Sequence, residues 1–262
     1  MKNILLLSII LILITSCNEE ISIENTQSSK DHLLAEDIFH NIGINIENAF
    51  NFNSNTICPT YLSKNSAPSD EDTIIIDFGN GIPACINNNN IESGKIIIIY
   101  DGNYYSEGTT ITSSFDNYYL NNSLIQGYIT IKNKGKNDDE NMVFDYEIED
   151  ATINTSIGLI NWNAELEKEW VSGDSTLDRS DDIYKITGEA NGIGRNDNSF
   201  NVDIQEPLKA QISCQTSCII KEGEAKIHPS GYQERIINYG DSICDCNFEV
   251  QHNGTVKPIS IY

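Results

Sequence analysis

The chain predicts a mainly β protein: an antiparallel multi-strand meander, built as a sandwich or as a curved open sheet or half-barrel, with one short N-terminal amphipathic helix. Three observations predict it. Residues 72–79 and 94–101 are isoleucine-rich at successive positions, so both faces of each run ask for cover and the two read as interior strands. From residue 57 onward, short β-branched and aromatic segments recur between Gly, Asn and Asp punctuation, as in hairpins laid side by side. The helical spacing Leu34, Ile38, Ile42 occurs ahead of the strands, and no convincing helix interrupts them.

Taken in order, residues 1–16 read as an export signal, with Lys2 as the basic start and an apolar run from Ile4 to Ile14 too short to span a bilayer. The run ends Ile14-Thr15-Ser16-Cys17, which resembles the bacterial lipobox. That resemblance implies cleavage before Cys17 and diacylglycerol on its thiol. Acyl chains contribute about 0.8 kcal/mol per buried methylene, so two or more anchor a protein without spanning the membrane. Asn18-Glu19-Glu20 resembles the acidic signal that sends lipoproteins of the Bacteroidota to the cell surface, and an ordinary polar tether is the alternative.

Residues 17–30, rich in Ser, Asn, Glu and Gln, read as the lipidated Cys and a flexible tether. Residues 31–55 read as a short helix and loop, with Asp31 as N-cap and Gly43 as stop. The helix's apolar stripe is expected to pack on the isoleucine runs. Residues 56–262 form the β domain. After the isoleucine pair, strands are expected over 108–115, 124–132, 142–148, 157–162, 164–171, 183–190, 199–205, 210–214, 219–228, 232–239, 244–251 and 256–261. Asn121-Asn122, Gly135 and Asn253-Gly254 mark turns. Glu165, Glu167 and Glu169 share one strand face and must be solvated or bound to cations, and residues 137–141 form an acidic, exposed hairpin loop.

With Cys17 set aside, six cysteines remain: Cys58, Cys85, Cys214, Cys218, Cys244 and Cys246. In an exported chain they imply disulfides. Cys58 and Cys85 flank the first isoleucine strand and are expected to pair, as are the two C-terminal couples with each other. A four-thiolate zinc site from the C-terminal couples is the rival, disfavoured by an oxidising compartment.

Charge and motifs narrow the function. Sixteen Lys and Arg stand against 39 Asp and Glu, a net charge of −23, so nucleic acid is repelled. Catalytic residues, cofactor and metal site are all expected to be absent. There is no Gly-x-Ser-x-Gly elbow, His-Glu-x-x-His pair or Asp-x-Asp-x-Asp-Gly calcium loop. His32, His40, His228 and His252 read as surface or loop residues. In so acidic a chain a glycosidase pair of carboxylates stays open, although nothing singles one out. Trp162 and Trp170, with Tyr104, Tyr105, Tyr118, Tyr119 and Tyr184, either stack sugar rings on a sheet face or fill the core.

Several stretches carry a family resemblance: 73–81, 94–100, 114–119, Ile160-Asn-Trp-Asn163, Glu169-Trp-Val-Ser-Gly173, 184–192 and 238–244. Together they resemble a group of Bacteroidota outer-membrane lipoproteins without assigned function. The resemblance implies a location, lipid-anchored at the outer membrane and facing either the surface or the periplasm, and a fold with a helix ahead of strands. It brings no catalytic residues. The Asp-Ser/Thr-aliphatic triplets at Thr73 and Ser242, and the related Asp174-Ser175-Thr176, resemble the O-glycosylation acceptor used by that phylum on exported proteins. The functional expectation is a non-enzymatic binding or structural envelope module, with glycan recognition or carriage of an apolar ligand as alternatives. Its partners would be the membrane, through the acyl chains, and a glycan or envelope protein.

Overall fold

A computed structural model describes residues 25–51, 58–64, 72–80, 85–87, 90–176, 178–214 and 218–261. Helix α1 (Gln27–Phe50) is followed by β1 (Thr60–Lys64), β2 (Asp72–Asp77), β3 (Cys85–Asn87), β4 (Asn90–Tyr100), β5 (Thr110–Leu120), β6 (Ser123–Lys136) and β7 (Met142–Thr155). Then come β8 (Gly158–Ser172), β9 (Ile183–Ile193), β10 (Ser199–Gln211), β11 (Ile220–Pro229), β12 (Arg235–Asn238), β13 (Phe248–His252) and β14 (Thr255–Ile259), with one 3-10 turn (Arg179–Asp181) ahead of β9. Thirteen strands run antiparallel in chain order across one open sheet from β1 to β14, and short β3 pairs with the start of β4, end to end with β2. This is the curved open sheet among the architectures expected.

Local chemistry sets the hairpins. Asn121 and Asn122 both have positive φ (48° and 66°) and close β5 onto β6, while Asn253 and Gly254 (47° and 77°) close β13 onto β14. Gly135 differs from expectation: it lies within β6 at a bulge, and the turn comes later, at 137–141. The expected pairs 157–162/164–171 and 199–205/210–214 are each one long strand, β8 and β10. Pro207 is absorbed in β10 at a register shift rather than ending the strand. Further shifts between Ile148 and Ala151 and between Asp203 and Leu208 help to bend the sheet.

The bend surrounds α1, whose side chains reach from β4 (Asn45 to Glu92) through β8 (Phe39 stacked on Trp162, 5.5 Å) to Tyr239 beyond β12 (His32, 3.2 Å). The helix therefore differs from the short amphipathic one expected. It starts at Gln27, inside the expected tether, and runs to Phe50. Asp31 is a buried mid-helix residue rather than its N-cap. Gly43 is interior rather than a stop, and a Cβ there would sit 3.4 Å from the Tyr146 ring. Burial extends around most of its circumference because the sheet covers more than one face.

The isoleucine runs also differ from expectation. β2 and β4 lie second and third from one margin, and only one face is buried: Ile74, Ile76, Ile96 and Ile98 point inward, Ile75 and Ile97 are half-buried, and Ile99 is exposed. Among the described residues no second layer covers the convex face, so the apolar doubling of these strands has no buried counterpart there. Glu165 and Glu167 do lie exposed on that face, with Glu169 half-buried beside them.

Cys58 and Cys85, Cys214 and Cys244, and Cys218 and Cys246 are disulfide pairs, with Cα atoms 5.6, 5.1 and 5.4 Å apart. The first ties the entry to β1 to β3. The other two clasp the β10–β11 turn to the segment ahead of β13, and the four thiols are accounted for without zinc.

Candidate functional site

Helix α1 carries the polar groups around which the site is built. A chain with 39 carboxylates has only three arginines, and all three reach α1 or the residues that begin it. Arg235 donates to the Asn25 carbonyl (2.5 Å). Arg195 meets the buried Asp31 carboxylate through Nη2 (2.5 Å) and Nε (2.6 Å), and its backbone N–H donates to the other oxygen (2.8 Å). Gly194 makes this approach feasible, since a Cβ there would lie 2.5 Å from Asp31 Oδ2. Arg179 meets Glu47 (2.7 Å), Asp182 (3.0 Å) and the Asn48 side chain (2.6 Å) at the helix's other end. Arginine suits these places because its planar fork serves several acceptors at once and stays charged when buried.

Two neutralised clusters lie between the clamps. Trp162 Nε1 donates to His32 Nδ1 (3.3 Å), so the proton of the neutral imidazole sits on Nε2, facing Tyr239 Oη (3.2 Å). Burial holds His32 at about 3 and pushes Glu36, beside it, up to about 8. Further along, Asn45 Nδ2 and Tyr118 Oη donate to Glu92, which burial raises to about 7. His32 is thus a core residue rather than a surface one, and His40, likewise held at about 3 chiefly by burial, has a buried Nε2 without a partner among the described residues. His228 and His252 are partly exposed near strand ends, as expected.

At the C-terminal end of α1 the concave side opens into a cleft of about 700 Å³. Tyr61, Tyr105, Met142 and Trp170 supply its apolar and aromatic walls. Asn48, Asn51, Asp174, Thr176, Arg179 and Asp182 supply its polar ones. Beneath lies a ring of buried charge. Tyr184 Oη donates to Glu47 (3.0 Å), Lys168 Nζ stands 3.9 Å from the same carboxylate and 3.8 Å from the centre of the Tyr184 ring, and burial lowers Lys168 to about 8. Asn51 donates to Tyr105 Oη, fixing one wall to the helix end. Burial, with the Glu47 charge, pushes that phenol up to about 12.

Trp170 is only 6% exposed, and its indole Nε1 has no hydrogen-bond partner among the described residues. A buried N–H without an acceptor is costly, and this one belongs to a side chain lining an open cleft.

The two tryptophans that sequence singles out for sugar stacking therefore part company. Trp162 is a correction: it is buried against α1, where no ligand reaches it, because the concave face is the protein core. Trp170 lines the cleft. Tyr104, Tyr118 and Tyr184 are buried, and Tyr119 is exposed. Sequence reasoning missed Arg179, Asn48, Asn51 and Tyr61; the scarcity of arginine was the available signal for the first. Thr73 lies in β2, Ser175 is exposed in the turn after β8, and Ser242 is exposed with its hydroxyl donated to Glu222. Cys17 lies outside the described residues. No described helix is long and apolar enough to cross a membrane. No family model matches the chain, and neither a curated protein nor a solved structure matches it.

Proposed function

We propose that the chain is a non-enzymatic envelope protein, anchored at the outer membrane through acyl chains on Cys17, which binds carbohydrate in the cleft at the end of α1. One observation carries the reading of the cleft: aromatic walls from Tyr105 and Trp170 stand beside side-chain amides and carboxylates, around a space of the size that holds a small ligand. Flat rings offer contact area at low entropic cost, and the amides and carboxylates offer partners to sugar hydroxyls. Carriage of an apolar ligand is less well supported, because α1 and its side chains occupy the concavity that such a ligand would need. The anchor and location rest on the lipobox-like ending at Cys17 and on the resemblance to Bacteroidota lipoproteins.

A glycan array with purified full-length chain, followed by calorimetry on the best ligand, tests the binding. Binding that falls at least about tenfold in Tyr105→Ala, a loss of roughly 1.4 kcal/mol, supports the cleft. Silence across all glycans overturns it. Protease shaving of intact cells reports which side of the membrane the domain faces.

A further inference from the structure

Charge at the cleft says more about the ligand. Arg179 lines it, yet the guanidinium is spent inward: Nε on Asp182, Nη1 on Asn48, and Nη2 on Glu47 and the Tyr184 hydroxyl. Lys168 is turned toward Glu47 and the Tyr184 ring. The paired charges Glu47, Asp182, Arg179 and Lys168 therefore balance, and among the described residues that line the cleft no cation is left to receive an anionic ligand. Asp174 is different. It lines the cleft, is exposed, and has no hydrogen bond or ion pair among the described residues. Asp178 and Asp181 stand on the same segment, with the whole chain at −23 behind them, so the local potential favours a cation. The aromatic walls point the same way, because ring faces attract ammonium groups.

We propose that the cleft selects a sugar carrying a free, protonated amine: a hexosamine-type ring whose apolar face lies on the aromatic wall of Tyr105 and Trp170 and whose ammonium meets Asp174. This rests on the carbohydrate reading above and names the class of sugar within it. Uronic acids, sialic acids and sugar phosphates are excluded by the same charges.

The test is calorimetry on the purified full-length chain at about pH 6 and low salt, with tetramers of glucosamine, N-acetylglucosamine and glucose as probes. The glucosamine tetramer is expected to bind about fivefold tighter than the other two, the scale of one partly exposed ion pair. Asp174→Asn, a substitution at an exposed side chain, is expected to abolish that preference, so that the variant binds the glucosamine and glucose tetramers alike. Equal or tighter binding of the acetylated or neutral tetramer overturns the amine and leaves the carbohydrate reading standing. A preference that survives Asp174→Asn overturns the assignment to Asp174. No binding of any sugar overturns both readings.

Discussion

Replacing Arg195 with Met leaves the Asp31 carboxylate in the core without its countercharge. The Asp31 side chain is 0% exposed and that of Arg195 14%, so the pair is shielded from water and removing one partner belongs to the costly class of about 3–5 kcal/mol. Two donors to Asp31 survive the change, the residue-195 backbone N–H (2.8 Å) and Gln27 Nε2 (2.8 Å), which places the expected loss near the lower end, about 3 kcal/mol. For a chain of this size the midpoint of thermal unfolding then falls by about 6–12 °C. Urea denaturation followed by tryptophan fluorescence measures the loss directly. Adding Asp31→Asn to Arg195→Met removes the orphan charge and keeps a carbonyl acceptor for one of the two surviving donors, which reach different oxygens of Asp31, so the double variant should recover at least about 1 kcal/mol. A single variant that loses less than about 1 kcal/mol, or a double variant no more stable than the single, refutes the claim that this pair sits in a dry core.

Other expectations follow from the same contacts. Burial raises Glu36 to about 8 and Glu92 to about 7, so from about pH 6.5 to 8 the folded chain holds protons that the unfolded chain has released, and stability falls as pH rises. His32 and His40, held at about 3, act oppositely, adding stability as pH rises from about 3 to 6.5. Glu36→Gln should flatten the fall above pH 6.5 in urea midpoints, and an unchanged slope would contradict the assignment. Gly194→Ala, which pushes a methyl against Asp31, should destabilise the fold in the same urea assay, whereas neutrality would show that the turn gives way. Cys214–Cys244 and Cys218–Cys246 enclose nearly the same chain, with separations of 30 and 28 residues. Removing either alone should therefore cost well under the roughly 3 kcal/mol typical of one such loop, and removing both should cost about that much. Equal, additive losses would refute this. Intact mass of the exported protein should show diacylglycerol on Cys17 and any O-glycan on Ser175 or Ser242, and an unmodified Cys17 would remove the anchor.

Strand succession and turn chemistry were legible because each is local. A double asparagine accepts positive φ wherever it occurs, and alternation along β6 through β9 follows from one wet face and one dry face. The cysteine pairing was legible in part: Cys58 and Cys85 flank β2 and the two C-terminal couples join each other, but that Cys214 meets Cys244 and Cys218 meets Cys246 depends on how the β10–β11 turn sits against the segment ahead of β13. The helix was misread for a physical reason. Asp31, His32, Glu36 and Glu47 look like a solvated face when partners are unknown, and their partners lie more than a hundred residues away, at Arg195, Trp162, Tyr239 and Arg179. The isoleucine strands misled in the opposite sense, because an apolar run reports what a surface could bury and says nothing about whether a layer covers it. For the cleft, Trp170 was visible as an aromatic, but Asn48, Asn51 and Tyr61 become neighbours only once α1 threads the sheet.

Hydrogen exchange of the full-length chain, read peptide by peptide, tests that threading most directly. If α1 is the core around which the sheet curls, amides across Gln27–Phe50 should be protected to the same degree as those of β6 through β9, opening only with global unfolding. Exchange across 27–50 as fast as in the turn at 137–141 would mean that the helix lies outside the sheet, and the arginine clamps and the cleft at its end would fall with it.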